Sequence, residues 1–369
     1  MSSSHRETHL QLFHPTFIFT SSHSFTIIKE KYSFTLLNLN FKDRRISVKN
    51  KRKKYTLIAL SIISSLVILY FAIGFVFYHF ALNANATQSR TIGEKMYEPS
   101  PYIDATREQA EREKDREFLD TTKPSVKSIT SYDDLSLQAY VYEQPTPTND
   151  WVLAVHGYTG SARQMTRWNR QLYELGYNVF APDLRGHGQS EGDYYGMGWL
   201  DQQDLHDWLS LLIKEYPDAN ITLYGVSMGA SAVLNLAASD LPKQVDTVIA
   251  DSGFTSVAEI FETQLNDTLH LPSFPIMNAA NSVSKLRINL NFYKASTVAL
   301  VPNIKIPILY IHGGLDNFVP VDNVHALSKA TNAPHEVWVV ENANHGEAVK
   351  VLPDEYRERL HQFIQNERE

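Results

Sequence analysis

Residues 221–237 read ITLYGVSMGASAVLNLA, and this stretch decides the fold class. Residues 221–224 form the short apolar run of a buried strand, and residues 230–238 carry the small and aliphatic side chains of a buried helix. Between them stands Gly225-Val226-Ser227-Met228-Gly229. A strand that turns sharply into a helix holds its central residue in an unusual backbone conformation and lifts that side chain above the sheet. Glycines two places before and two places after it avoid collisions with neighbouring elements. The five residues alone are a weak signal, since a serine in any glycine-rich turn matches them. Their place between a strand and a helix makes the signal strong.

Working outward, strand and helix patterns alternate from residue 125 to the end. Strands are expected at 126–130, 135–142, 151–155, 178–181, 221–224, 245–250, 307–311 and 335–340. Helices are expected at 161–175, 199–216, 230–238, 321–330 and 354–366. Such alternation implies right-handed crossovers and a mostly parallel sheet flanked by helices, with the ligand crevice at the carboxyl ends of the strands. Residues 254–303 are too long for a simple crossover and read as a small lid of helices at 257–265, 269–275 and 277–287. Within it Phe261, Leu265, Leu269, Leu271, Phe274, Ile276 and Met277 either line an acyl pocket or pack the lid onto the core.

A serine hydroxyl attacks only when a base takes its proton and a carboxylate orients that base. In this topology the chain order is serine, acid, histidine. Downstream of Ser227, Asp316 stands in HGGLDNFVP (312–320) and His345 in ENANHG (341–346), each in a loop just after a strand. Ser227 is therefore expected as nucleophile, His345 as base and Asp316 as acid. Asp251, at the end of the strand after the turn, is the alternative acid; otherwise it is a strand-end carboxylate holding local backbone. His312, His325, His335 and His361 read as packing or surface residues. Acyl transfer also needs N–H donors for a developing oxyanion. The backbone N–H of Met228 is one, and HGYTG (156–160) offers that of Tyr158 as the other. His156 is expected to brace its loop, and Asp183 and Arg185 in DLRGHG (183–188) to pair structurally.

Composition narrows the classes. The 369 residues include no cysteine, which excludes a disulfide scaffold, a thiolate zinc site and an Fe–S cluster, and leaves Ser227 without a rival thiol. The formal charge of -7 hides a split. Residues 1–54 hold 11 Lys+Arg against 3 Asp+Glu, leaving 23 basic and 38 acidic residues for the remainder. An acidic body argues against a nucleic-acid surface. Dinucleotide, Walker, His-Glu-x-x-His and EF-hand motifs are missing, so no metal or organic cofactor is expected.

Residues 56–80, TLIALSIISSLVILYFAIGFVFYHF, are 25 residues without an acidic or basic side chain other than histidine. A helix of that length reaches about 37 Å, enough to cross a hydrocarbon core of about 30 Å. Lys49-Asn50-Lys51-Arg52-Lys53-Lys54 precedes it and only Arg90 follows nearby, so the N-terminus is expected in the cytoplasm and the body outside, at a plasma membrane. A cleaved signal ending at Ala84-Asn85-Ala86 is the alternative. Residues 1–47 read as a disordered tail, or as translated upstream sequence with the native start at Val48, and residues 48–55 as a basic cytoplasmic flank. Residues 81–123 read as a tether with a solvated, charge-laced helix at 105–119, and residues 124–369 as the catalytic domain.

HGYTG, DLRGHGQSEG, GVSMG, HGGLDNFVP and NANHGE together resemble the α/β-hydrolase superfamily over some 245 residues. By that resemblance Ser227, Asp316 and His345 take the nucleophile, acid and base roles. With the N-terminal helix, the chain is similar to bacterial membrane-anchored cell-surface serine hydrolases. Members with an aspartate nucleophile, the dehalogenases and epoxide hydrolases, are disfavoured by serine at 227; haloperoxidase-like members keep the serine. The expected activity is hydrolysis of a small-molecule ester. A serine peptidase or amidase and a catalytically silent binding module are the alternatives.

Overall fold

The structure is a computed structural model that describes residues 41–86 and 99–368. The expectations for residues 1–40, and for the tether at 87–98, lie outside the described residues. The chain opens with α1 (Phe41–Ala81) and α2 (Ala105–Thr121), then β1 (Ser125–Thr130), β2 (Ser136–Tyr142) and β3 (Asp150–Val155). There follow α3 (Thr166–Glu174), β4 (Asn178–Pro182), α4 (Gln202–Glu215), β5 (Asn220–Val226), α5 (Met228–Ala237) and β6 (Val245–Asp251). The lid brings α6 (Val257–Thr263), a π turn (Gln264–Thr268), α7 (Ser273–Ile288) and α8 (Thr297–Leu300). The chain closes with β7 (Ile308–Gly313), α9 (Asp322–Ala330), β8 (His335–Val340), α10 (Ala348–Val351) and α11 (Pro353–Asn366).

All eight strands stand where the sequence pattern puts them. They form one sheet in the order β1-β2-β4-β3-β5-β6-β7-β8. β2 runs antiparallel to both neighbours and the remaining pairs are parallel. From β3 the chain first adds β4 on one side, then β5 on the other, so the switch point lies between β3 and β5. A crevice at the carboxyl ends of those strands is where such a sheet binds ligands. The central strands read as continuous apolar runs because helices cover both faces; β7 is buried along its whole length, and so is α5.

Helix α1 departs from the expected span in two ways. It begins at Phe41, ahead of the boundary placed at 48, so residues 41–47 are helical rather than a structureless tail. Its last turns are also packed. Tyr70 hydrogen-bonds Ser282 at 2.9 Å, a Cβ on Gly74 would collide with the backbone of Ala279, and Tyr78 is buried. Residues 70, 74 and 78 are four apart and share one helical face. Beyond the helix, the Tyr195 N–H donates to Leu82 O and the Ala84 N–H to Asp193 O.

The reading of the charged helix as solvated is corrected on one face. In α2 the carboxylates of Glu108, Glu111 and Asp115 meet Arg167 and Arg170 of α3, with Arg170 Nε 2.8 Å from Asp115 and Arg167 Nε 2.7 Å from it. Phe118 packs against Tyr142 and Tyr173. Replacing the buried Arg170 with methionine takes one cation from Glu111 and Asp115, which keep Lys114 and Arg167 as partners. The expected cost is about 2 kcal/mol of stability, read as a lower Tm in thermal unfolding, because charge-assisted hydrogen bonds in a largely buried cluster are lost.

Candidate active site

At the turn between β5 and α5, Ser227 takes φ 58° and ψ −120°, in the left-handed region that serine rarely adopts. Its N–H is anchored to Asp251 O at 2.7 Å. The flanking glycines have the role read from the sequence. A Cβ on Gly225 would strike Gly229, and one on Gly229 would strike the backbone of Val155 and His156.

The structure brings Ser227, His345 and Asp316 together. His345 Nε2 lies 2.8 Å from Ser227 Oγ, and His345 Nδ1 lies 2.7 Å from Asp316 Oδ2. The second Asp316 oxygen accepts the N–H groups of Phe318 at 3.0 Å and Val319 at 2.8 Å. With Asp316 a carboxylate acceptor, Nδ1 of His345 carries the proton and Nε2 is free to accept from the hydroxyl. Burial opposes charge on Asp316, but the neighbouring His345 and His312 outweigh it and hold the carboxyl well below its usual range. Burial disfavours the charged form of His345 too; the Asp316 charge and hydrogen bond, together with the nearby Asp251 and Glu347, outweigh it and raise the imidazole above its ordinary value.

Asp251, the alternative acid, faces elsewhere. It accepts Tyr356 Oη–H at 2.7 Å and Ser252 Oγ–H at 2.9 Å, and burial pushes its carboxyl up. His156 braces its loop, accepting the Leu184 N–H at 3.0 Å on Nε2. The expected Asp183–Arg185 pair is not formed. Asp183 accepts the N–H groups of Ala162 and Gln189, while Arg185 pairs with Asp204 at 2.7 Å and Asp133 at 3.0 Å. Neighbours in sequence at a strand end take different partners, and the two carboxylates that reach Arg185 come from the β1–β2 loop and from α4. Asn344 was not singled out by sequence: its Oδ1 accepts the N–H of His345 at 2.8 Å and of Asn317 at 3.2 Å, tying the histidine loop to the acid loop.

The loop 156–160 closes over the serine, with Tyr158 and Ser227 lining the same two cavities. Met228 opens α5, where the first N–H of a helix has no intrahelical acceptor. One cavity, of about 560 Å³, is apolar and runs from Ser227 between the lid and α1. The other, of about 360 Å³, is lined by loop 156–161, Gln164, Trp168, His345 and Lys350. Of the lid residues expected at a pocket, Phe261, Leu265, Leu269, Leu271 and Ile276 line the first cavity. Met277 is packed into the core and Phe274 is 78% exposed. The α1 wall, including Leu69, Ile73, Val76 and Phe77, was missed; the one hint in sequence is the repeat of Tyr70, Gly74 and Tyr78 within an apolar run.

Fold and site together define a hydrolase of the serine type built on a mostly parallel sheet. Residues 146–289 match the family described as serine aminopeptidase, S33, and residues 273–362 match the dienelactone hydrolase family. The chain is 27% identical to the uncharacterized protein YqkD of Bacillus subtilis (strain 168) over 305 residues, covering 82% of this chain and 96% of that one. It is 24% identical to the thermostable monoacylglycerol lipase of Bacillus sp. (strain H-257) over 210 residues, covering 53% and 82%. Among solved structures, the Pyrococcus furiosus esterase Pf2001 aligns with TM-score 0.54 and 25% identity, covering 67% of this chain and 93% of the esterase. The chain belongs to the α/β-hydrolase superfamily.

Proposed function

We propose that the protein is a carboxylesterase held at the outer face of a plasma membrane by its N-terminal helix. The observation that carries this reading is the hydrogen-bonded line from Asp316 through His345 to Ser227, opening on a large apolar cavity. In the proposed reaction Ser227 Oγ attacks the ester carbonyl while its proton passes to His345 Nε2. The backbone N–H groups of Tyr158 and Met228 receive the developing oxyanion. The carbonyl–oxygen bond to the alcohol breaks, and the alcohol leaves with the proton from His345. Water then attacks the acyl-enzyme, His345 takes its proton, and the acid departs as Ser227 regains its hydrogen. Asp316 keeps the imidazole oriented and steadies its charge.

Within α1, the 34-residue stretch Val48–Ala81 is long and apolar enough to cross a membrane. Two observations support a retained anchor over a cleaved signal. Leu82 is fully buried and Ala86 nearly so, and cleavage at Ala86 would strip a wall from the apolar cavity. The names of two similar proteins, a monoacylglycerol lipase and an esterase, favour esters over amides. The aminopeptidase in the family description favours the amide reading, so both bonds belong in the test.

The test uses the full chain in detergent micelles. A fluorophosphonate probe is expected to label wild type and not Ser227→Ala; absent labelling of wild type would sink the catalytic reading. Across p-nitrophenyl esters and p-nitroanilides, esters are expected to turn over faster, and a preference for anilides would overturn the esterase assignment.

A further inference from the structure

The large cavity has a wall that an ordinary soluble esterase would not possess. Leu69, Ile73, Val76, Phe77 and Phe80 of α1 line it together with Ser227. These five positions share one helical face. They fall in the C-terminal part of residues 56–80. Eleven rises from Leu69 to Phe80 come to about 17 Å, roughly the C-terminal half of a hydrocarbon core of about 30 Å. With the basic flank at residues 49–54 on the cytoplasmic side, that half is the outer leaflet.

The opposite wall belongs to the lid. Leu269 and Leu271 line the cavity while remaining 48% and 45% exposed, so apolar surface continues from the cavity to the outside at its mouth. On the far side of Ser227 the smaller cavity offers Thr159, Gln164 and Lys350. One ester therefore meets two environments across the serine, apolar on one side and polar on the other.

We infer that the substrate is a long-chain acyl ester resident in the outer leaflet, and that its chain enters sideways along α1 while its polar alcohol part occupies the smaller cavity. This rests on the proposed function, both for Ser227 as nucleophile and for α1 as anchor. A chain that passes from bilayer to cavity wall never leaves apolar surroundings, so the hydrophobic cost of extraction into water is avoided. The helix thus serves as part of the binding site as well as a tether.

The experiment places the full chain in phosphatidylcholine nanodiscs and adds a long-chain fluorophosphonate carrying a diazirine at the tail end. Ser227 Oγ bonds to phosphorus as fluoride leaves, which fixes the head of the probe, and irradiation then records where the tail lies. Crosslinks within residues 69–80 are the expected result. A tail crosslinked only elsewhere, such as residues 159–168, overturns the inference. So does labelling by a short fluorophosphonate but not by the long one. If neither probe labels Ser227, the serine-hydrolase reading fails instead, and the two failures stay distinct. Independently, Val76→Trp fills the cavity from the helix side. The ratio of kcat/KM for long over short esters is expected to fall on the order of tenfold, equivalent to two or so lost methylene contacts. Ile68→Trp, on a face that is 66% exposed, is expected to leave that ratio unchanged. An equal ratio in both variants counts against the α1 route.

Discussion

Ser227→Ala is expected to lower kcat for ester hydrolysis by about 10⁵–10⁶, leaving a residual rate about 10³–10⁴ above the uncatalysed reaction. The size follows from how the three groups work together. Without the hydroxyl no acyl-enzyme forms, and His345, still 2.7 Å from Asp316, has nothing to deprotonate but water. On the proposed mechanism, what survives is substrate binding and the oxyanion donors proposed at Tyr158 and Met228, which act on the carbonyl whatever attacks it. The fold should persist, since alanine can be accommodated where serine already strains the backbone and the Ser227 N–H keeps its bond to Asp251. Steady-state kinetics checks the prediction, with circular dichroism reporting the fold. A loss smaller than tenfold would mean that another residue attacks.

Asp316→Asn is expected to cost about 10⁴ in kcat and to move the acid limb of kcat/KM to lower pH. The base works only when His345 is neutral, so activity in wild type rises as pH passes through the imidazole's pKa. That value is raised, since the charge and hydrogen bond of Asp316, with Asp251 and Glu347 nearby, together outweigh the burial of His345. Removing the charge leaves burial dominant, and burial disfavours the imidazolium; the limb therefore shifts down even as the rate collapses. The rate falls because an amide in place of the carboxylate stabilises the wrong tautomer and offers no charge to the imidazolium. A pH–rate profile of both enzymes reads the shift. An unmoved limb would assign the orienting role to another carboxylate, with Asp251 the first to examine.

The arrangement around Ser227 was legible because most of it is local. A strand, a five-residue turn and a helix specify the serine's backbone, and the glycines on either side can be read as steric necessities. Asp316 and His345 were legible for a related reason: each follows a strand, and the sheet topology carries those strand ends to one side. Asp183 and Arg185 show where this reasoning stops. Two residues apart, opposite in charge and in one loop, they still bond to different partners, Asp183 to backbone N–H groups and Arg185 to carboxylates distant in sequence. Asn344 escaped notice because a neutral side chain bridging two loops has no sequence spacing to betray it. The acidic helix α2 escaped in the same way, since i,i+4 charge pairs look alike whether their outer face meets water or a pair of arginines.

What the sequence determined by itself is the alternation of strand and helix, the raised serine and the existence of a long apolar helix near the N-terminus. These depend on periodicity, on turn sterics and on length, all of which are properties of neighbouring residues. What only the tertiary structure decided is the fate of apolar surface. The hydrophobic effect has no direction, so Leu69, Ile73, Val76 and Phe77 satisfy it equally against lipid, against a lid or around a cavity. The packing of Gly74 against Ala279, the bond of Tyr70 to Ser282 and the bond of Tyr158 to Ala81 O help turn that one face toward Ser227.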